Sequence, residues 1–164
     1  MNVNLAVKIG KLKLKNPVMV ASGTFGYAKE FEDFIKLKKL GAIVTKTITL
    51  NPRQGNLPPR TCETPAGMLN SIGLENPGWE VFLKDKLPFL KKLGLPLIVS
   101  IASEGGPKEF VELARRISKI SAVSALELNI SCPNVVGQKR LISQDPKATY
   151  QIVKAVRQVT SQTL

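Results

Sequence analysis

A cysteine follows a run of strand-favouring residues in the segment LELNISCPNV, residues 126–135. Cys132 comes three residues after Asn129 and stands between Ser131 and Pro133, so the thiol falls in a polar turn. A thiol in such a turn can serve as a nucleophile or as a general acid or base. A packed, inert thiol is the alternative, because most cysteines without a disulfide are buried. The chain has no histidine, which excludes a cysteine nucleophile activated by its own histidine.

A lysine stands at the end of an apolar run in the segment GAIVTKT, residues 41–47. If the ammonium group of Lys46 is buried, it needs an anionic partner such as a substrate carboxylate or a cofactor. If it is not buried, its aliphatic stem can follow the strand and carry the charge into solvent. Both interpretations stay open on the residues alone.

Two glycine-containing segments offer further polar groups. The segment ASGTFG, residues 21–26, follows an apolar run and is either a ligand contact or a plain reversal of the chain. The segment NSIGLENPG, residues 70–78, combines amides with backbone N–H groups, which suits a planar heterocycle that needs directional hydrogen bonds. A capped surface loop is the alternative. Neither segment matches a known phosphate-binding loop.

The elements that must position these residues alternate between strands and helices. Apolar runs and alternating patterns predict strands at residues 3–7, 11–15, 16–22, 41–47, 95–102 and 123–130. Amphipathic or capped segments predict helices at residues 27–40, 79–93, 107–120 and 146–160, and residues 48–78 read as a long irregular connection. This alternation predicts an α/β fold with a parallel sheet. The polar residues near the carboxyl ends of its strands, where α/β enzymes place their sites, are Ser22, Lys46, Ser100 and Asn129.

The chain has 164 residues and contains four strand–helix units. A complete (β/α)8 barrel takes about 250 residues. The sequence therefore describes one domain, residues 1–164, that is either a complete four-stranded α/β domain or the first half of a barrel.

The composition narrows the class of protein. The net charge is +12, but the lysines are scattered and aromatic residues make up only 5%. Solvated faces explain this charge better than a nucleic-acid surface does. No apolar run is long enough for a membrane helix, and the first residues do not form a signal peptide. Without histidine, and with Cys62 far from Cys132, we expect no metal site and a reducing, cytoplasmic location.

Four motifs, taken in order, resemble those of the class 1 dihydroorotate dehydrogenases, which are flavoenzymes of pyrimidine synthesis. They extend over the length of the chain and read ASGTFG, TKTITLNPRQGN with PPR following, ETPAGMLNSIGLENPG, and ELNISCPN. The forms TLNPRQGN and NSIGLENPG are most similar to the 1B subclass. In that subclass the catalytic subunit pairs with a partner that carries FAD and a 2Fe-2S cluster, and electrons pass to NAD+.

The resemblance implies a TIM barrel of the (β/α)8 type with FMN at its carboxyl-end mouth. This chain would supply an N-terminal hairpin and about four βα units of that barrel. The implied activity is the oxidation of dihydroorotate to orotate in UMP biosynthesis. The implied assembly is a homodimer of catalytic subunits within a heterotetramer. Without the second half of the barrel, we expect the chain alone to bind FMN weakly or not at all and to lack turnover.

The resemblance also implies roles for the matched positions. Cys132 would remove the proton from C5 of dihydroorotate while a hydride passes from C6 to FMN. Lys46 and Asn129 would each contact both substrate and flavin. The other substrate contacts would be Asn70, Ser71, Ile72, Gly73, Leu74 and Asn134. The other flavin contacts would be Ser22, Thr47 and Ser100, the last standing where many relatives carry asparagine.

Two other functions compete with this one. A dihydrouridine synthase-like flavoenzyme also uses a loop cysteine and would account for the positive charge. A basic, non-catalytic module that binds nucleic acid belongs to a different class altogether. The pairing of Lys46 with the segment 70–78 favours a small acidic substrate over RNA.

Overall fold

The computed structural model describes residues 3–132 and 141–164 of the chain. Its strands, in chain order, are β1 (Val7–Ile9), β2 (Leu12–Leu14), β3 (Ile43–Val44), β4 (Thr61–Thr64), β5 (Gly67–Asn70), β6 (Leu97–Ile101) and β7 (Val123–Leu128). Strands β1 and β2 form an antiparallel hairpin, as do β4 and β5. Strands β3, β6 and β7 form a parallel sheet in that spatial order.

Two single bridges extend the parallel sheet on both sides. Met19 lies beside Ala42 next to β3, and Thr163 lies beside Ala125 next to β7, each in parallel orientation. Five chain segments therefore lie side by side in the order in which they occur in the sequence. This arrangement, with consecutive neighbours all parallel, is how the strands of a (β/α)8 barrel begin.

Helices follow the strands and cover one face of the sheet. They are α1 (Gly78–Val81), which continues through a π-helical turn (Phe82–Lys86) into α2 (Leu87–Lys92), then α3 (Pro107–Ile117) and α4 (Pro146–Arg157). Gly94, with φ of 65°, follows α2, and the Asp145 side chain accepts hydrogen bonds from two backbone N–H groups at the start of α4. The predicted α/β class is confirmed. No helix in the described ranges is long and apolar enough to cross a membrane.

Two apolar clusters hold the sheet from opposite faces. The larger lies between sheet and helices and includes Ile43, Val99 and Leu126 with Phe82 and Phe110. The smaller joins the β1–β2 hairpin to the other face of the sheet, through Leu12, Leu14, Ala42, Val44, Ile98 and Ala125. The alternation of KLKLK explains this second contact, because the leucines are buried while the lysines between them stay exposed. The hairpin was predicted, but its first strand is displaced: β1 overlaps the predicted residues 3–7 only at Val7, whereas β2 lies within the predicted residues 11–15.

The predicted helix at residues 27–40 is wrong. The segment contains only two short 3-10 turns, Lys29–Phe31 and Leu37–Lys39. Ala28 has a left-handed φ of 70°, and Lys36 has an extended ψ of 85°, so neither residue can continue a helix. Phe34, which a helix over this segment would place on or near its apolar face, is 81% exposed.

Two other expectations need correction. Residues 16–22 do not form a buried strand, because they make only the Met19 bridge to the sheet and leave Val18 exposed at its edge. Residues 48–78 are not wholly irregular, because they contain the β4–β5 hairpin. Both strands of that hairpin are exposed on both faces, so they lack the apolar alternation by which a strand is recognised in sequence.

Candidate active site

Four of the expected site residues lie at the carboxyl end of the parallel sheet. Lys46 and Thr47 follow β3, Ser100 is near the end of β6, and Asn129 directly follows β7. Ser100 is fully buried and Thr47 nearly so, whereas Lys46 and Asn129 are half-buried. The fold thus brings residues that are far apart in sequence to one edge, as the strand-end pattern predicted.

A β-bulge between β3 and β6 places Lys46 and Thr47. The N–H of Thr45 donates to the carbonyl of Ile98, but the N–H of Ile48 donates to that of Ser100, so one strand carries an extra residue. The N–H of Ser100 donates instead to the Thr45 hydroxyl, at 3.2 Å. Bulges of this kind redirect side chains next to binding sites. Thr45 was not predicted, because nothing in the local pattern of GAIVTKT marks a bulge.

Three of these side chains are joined by hydrogen bonds. The hydroxyl oxygens of Thr47 and Ser100 lie 2.9 Å apart, and the Asn129 amide nitrogen donates to the Thr47 hydroxyl oxygen at 3.2 Å. The Asn129 amide oxygen lies 3.4 Å from both the N–H and the hydroxyl of Ser131. The chain of contacts therefore runs from the buried end of β6 to the turn that carries Cys132.

Cys132 is half-buried and lies three residues beyond Asn129. The turn before it is tied to the following part of the chain, because the N–H of Ser143 donates to the carbonyl of Ile130 at 3.0 Å. Asn134, the other expected residue of this loop, lies outside the described residues. Ser22 is half-buried and follows the Met19 bridge toward the same end of the sheet, but no described hydrogen bond joins it to the other site residues.

The expected substrate segment, residues 70–74, begins at the end of the β4–β5 hairpin and turns inward. Asn70 and Ser71 are exposed, Ile72 is half-buried, and Gly73 and Leu74 are buried. The Asn56 side chain holds the segment by donating to both the carbonyl and the hydroxyl of Ser71, at 3.1 and 2.6 Å. The backbone N–H of Asn56 also donates to the carbonyl of Ile72, at 3.1 Å.

The backbone of this segment leaves its N–H groups available. Gly73 and Leu74 both have positive φ, of 74° and 57°. A Cβ atom at Gly73 would lie 2.5 Å from the backbone nitrogen of Asn56, so only glycine fits there. Within residues 3–132 and 141–164, the N–H groups of Ile72, Gly73 and Leu74 have no acceptor. Consecutive N–H groups in such a turn can bind an anionic or carbonyl oxygen.

A cavity of about 530 Å³ brings this segment next to the sheet edge, since Lys46 and Ile72 both line it. Arg53 and Glu75 line the same cavity. Arg53 forms an ion pair with Glu104, which joins the segment after β3 to the segment after β6. Glu75 forms an ion pair with Arg60. Among the predicted site residues, Lys46 is the charged one, and it lines a space large enough for a small ligand.

Tyr27 also lines the cavity and is almost fully buried. Burial raises the pKa of the Tyr27 phenol well above its usual range, and the nearby Glu30 carboxylate raises the pKa further. The phenol therefore stays protonated at all physiological pH values. Its hydroxyl has no hydrogen-bond partner in the part of the chain that the structure describes.

Asn76 organises the cavity wall and was not singled out from the sequence. Its amide oxygen accepts from the N–H groups of Thr49 and Gly78, at 3.1 and 2.9 Å. Its amide nitrogen donates to the carbonyl of Leu74 at 3.0 Å. Asn76 is buried, so these bonds replace solvent and fix the end of the segment at residues 70–74 against the start of α1. The only sequence signal was its place in the turn ENPG.

The chain is similar to proteins of one family along nearly its whole length. The family model described as dihydroorotate dehydrogenase matches residues 4–164. A relative from Carboxydothermus hydrogenoformans, described as dihydroorotate dehydrogenase B (NAD(+)), catalytic subunit, is 54% identical over 99% of this chain and 52% of its own length. Relatives of the same description from Geotalea uraniireducens and Thermoanaerobacter pseudethanolicus are each 48% identical over 96% and 99% of this chain.

A solved structure agrees with the fold. The crystal structure of DHODH in complex with ferulenol from Eimeria tenella has a TM-score of 0.72 to this chain, with 24% sequence identity. The similarity covers 94% of this chain and 43% of that one. The chain spans about half the length of the curated relatives that it matches, since the three matches cover 51% to 53% of the relatives' residues. The expected TIM-barrel family is confirmed by these matches.

Proposed function

The chain belongs to the dihydroorotate dehydrogenase family, and from this premise we propose that it forms the N-terminal half of a catalytic subunit that oxidises dihydroorotate to orotate. The domain at residues 1–164 would then be the first half of a (β/α)8 barrel, which a second half completes. The step belongs to UMP biosynthesis.

The observation that carries the proposal is the gathering of the motif residues at one end of the sheet. Ser100, Thr47 and Asn129 lie at the carboxyl ends of three strands and are linked by hydrogen bonds. Lys46 stands beside them, and Cys132 follows Asn129 in the adjoining turn. A site built from the carboxyl ends of several strands is what catalysis in a barrel requires.

The residues present fit a flavin. The ring edge of a flavin carries carbonyl oxygens and ring nitrogens that accept hydrogen bonds, and the sheet edge supplies donors in Lys46, Thr47 and Asn129. We propose that these three residues hold FMN together with Ser22. Ser100, buried behind them, would hold Thr47 in place through its hydrogen bond. FMN, when bound, would accept the hydride that leaves C6 of dihydroorotate.

The chain's own residues would bind and deprotonate the substrate. The Cys132 sulfur, as a thiolate, would take the proton from C5, and the pair of electrons left behind forms the C5–C6 double bond of orotate as the hydride leaves C6. Lys46 would pair with the substrate carboxylate. Asn129 and Asn134 would orient the ring, and Asn70, Ser71, Ile72, Gly73 and Leu74 would close over it with side-chain and backbone donors.

The electrons would pass on to NAD+ through a second kind of subunit. The name shared by the relatives, a B-type NAD(+) catalytic subunit, supports a separate electron-transfer subunit. We propose that this partner carries FAD and a 2Fe-2S cluster and joins a homodimer of catalytic subunits in a heterotetramer. The protein would work in the cytoplasm, where the precursors of pyrimidine nucleotides are made.

The role of Cys132 is tested in a full-length enzyme that contains these residues and the second half of the barrel. We expect Cys132→Ala to lower turnover of dihydroorotate by at least about a hundredfold, the usual contribution of a positioned general base. FMN content, read from flavin absorbance, should stay at the wild-type value because the thiol is not among the flavin contacts.

Cys62→Ala is the matched control. Cys62 is the other cysteine of the chain and is exposed on β4 of the outer hairpin. This variant should turn over like the wild type. A Cys132→Ala enzyme with near-normal turnover at neutral pH would rule out the proposed base.

A further inference from the structure

The hydroxyl of Ser100 lies wholly inside the protein, and its partner is the hydroxyl of Thr47 at 2.9 Å. Either oxygen could donate across this distance. Ser100, however, has no other side-chain hydrogen bond to any described residue. A buried O–H without an acceptor is strongly unfavourable, whereas an oxygen with a vacant lone pair is tolerated. One O–H is left over whichever way the proton points. Ser100 is fully enclosed, so no ligand can accept its proton, whereas Thr47 lies at the carboxyl end of the sheet; donation from Ser100 to Thr47 leaves the spare proton where a ligand can accept it.

Asn129 supplies a second donor to Thr47. Its amide nitrogen lies 3.2 Å from the Thr47 hydroxyl oxygen. The orientation of the amide follows from Ser131, whose backbone N–H can only donate and faces the amide oxygen at 3.4 Å. Rotating the amide by half a turn would set two donors against each other at Ser131.

The Thr47 hydroxyl oxygen thus accepts two hydrogen bonds, which uses both of its lone pairs. Its own proton has no acceptor within the described ranges and is left for a ligand. The second amide hydrogen of Asn129 likewise has no acceptor among the described residues. With the Lys46 ammonium group beside them, this edge of the sheet presents hydrogen-bond donors.

We propose that Ser100 is a positioning residue, which fixes the Thr47 hydroxyl as a hydrogen-bond donor and so makes this edge select acceptor atoms. The ligand class is a planar ring whose facing edge carries carbonyl, carboxylate or unprotonated nitrogen atoms. This inference rests on the proposed function and deepens it, since orotate and the oxidised flavin both present such an edge. Ser100 acts through Thr47, so its short side chain needs no reach of its own.

The test uses the full-length enzyme and measures the Kd of orotate from changes in flavin absorbance. Thr47→Val, which removes the donor, should weaken orotate binding or flavin retention by about tenfold, the equivalent of one hydrogen bond. Thr47→Ser keeps the hydroxyl and should stay within about twofold of the wild type. Ser100→Ala should show an intermediate loss of about fivefold, because the Thr47 hydroxyl then loses one of its two fixed donors and can rotate away from the ligand.

A double-mutant cycle separates this role from a merely structural one. Because Ser100 acts only through Thr47, adding Ser100→Ala to Thr47→Val should cause no further loss. Ser103→Ala is the matched control, since Ser103 is also buried near the end of β6 but bonds to Gly106 and Glu109. Its effect, if any, should add to that of Thr47→Val.

Each outcome decides the matter. Additive losses for Ser100→Ala and Thr47→Val would overturn the positioning role. Equal binding by Thr47→Val and Thr47→Ser would overturn the donor role, even if Ser100→Ala does not fold. Failure of the proposed function is recognised separately, because the wild-type enzyme would then not oxidise dihydroorotate at all.

Discussion

At the residue scale, Asn129 uses both ends of its side-chain amide at once. The nitrogen binds Thr47, which belongs to the sheet edge, and the oxygen faces Ser131, which belongs to the turn before Cys132. The position of the proposed base is therefore coupled to the sheet through one side chain. The sequence predicted Asn129 and Cys132 from the motif ELNISCPN, but the contact with Thr47 depends on a bulge that no local pattern indicates.

The chemistry of Cys132 can be tested by changing only its reacting atom. We expect Cys132→Ser to have low turnover of dihydroorotate at neutral pH and to gain activity as the pH rises, because an alcohol loses its proton much less readily than a thiol. Cys132→Ala should show no such gain. The measurement is a pH profile of kcat for both variants in the full-length enzyme, and identical profiles would count against a base at this position.

At the element scale, the connection after β3 contains both a hairpin and a segment that is fixed by hydrogen bonds. Its hairpin, β4–β5, is exposed, but the segment that follows is held by Asn56, Arg53 and Asn76. The motif NSIGLENPG predicted where this segment is. The hairpin before it escaped prediction because exposed strands carry no apolar alternation, and the helix expected at residues 27–40 failed because the left-handed Ala28 cannot be recognised from residue type.

Gly73 tests whether this segment forms the proposed substrate contact. We expect Gly73→Ala to raise the KM for dihydroorotate by about tenfold or more, because a Cβ atom there meets the Asn56 backbone nitrogen and displaces the N–H groups of residues 72–74. Steady-state kinetics on the full-length enzyme give this value.

Gly94→Ala is the control for backbone strain alone. Gly94 also has a positive φ, of 65°, but a Cβ atom there meets nothing within 4 Å. It should lower the melting temperature without changing the KM. If both variants change the KM equally, the segment at residues 70–74 has no special part in substrate binding.

At the scale of the whole molecule, no described residue continues the parallel sheet beyond its single bridges on either side. Met19 and Val18 are exposed at one edge, and the Thr163 bridge forms the other. The alternation of strand and helix was predictable from the apolar runs and the amphipathic segments, which is why the fold class was right. The choice between a complete small domain and half a barrel could not be made from periodicity, because both begin with the same units.

The half-barrel proposal predicts how flavin binding depends on the rest of the barrel. We expect the 164-residue chain alone to form no one-to-one complex with FMN and to have no turnover, because loops after the last strands of such barrels bind the phosphate. Joined to the second half of the Carboxydothermus hydrogenoformans relative, it should bind FMN stoichiometrically. Flavin absorbance after gel filtration measures both, and a yellow one-to-one complex of the short chain contradicts the proposal.

The β1–β2 hairpin has a consequence for substrate entry and product release under the proposed function. Its leucines pack against Val44, Ile98 and Ala125 on the face of the sheet opposite the helices. In the proposed barrel this face is the interior, so the hairpin would plug it, and substrate would enter and product would leave at the carboxyl end of the sheet. Under the proposed function, orotate would then have to leave before the next dihydroorotate binds, so product release would contribute to the overall rate.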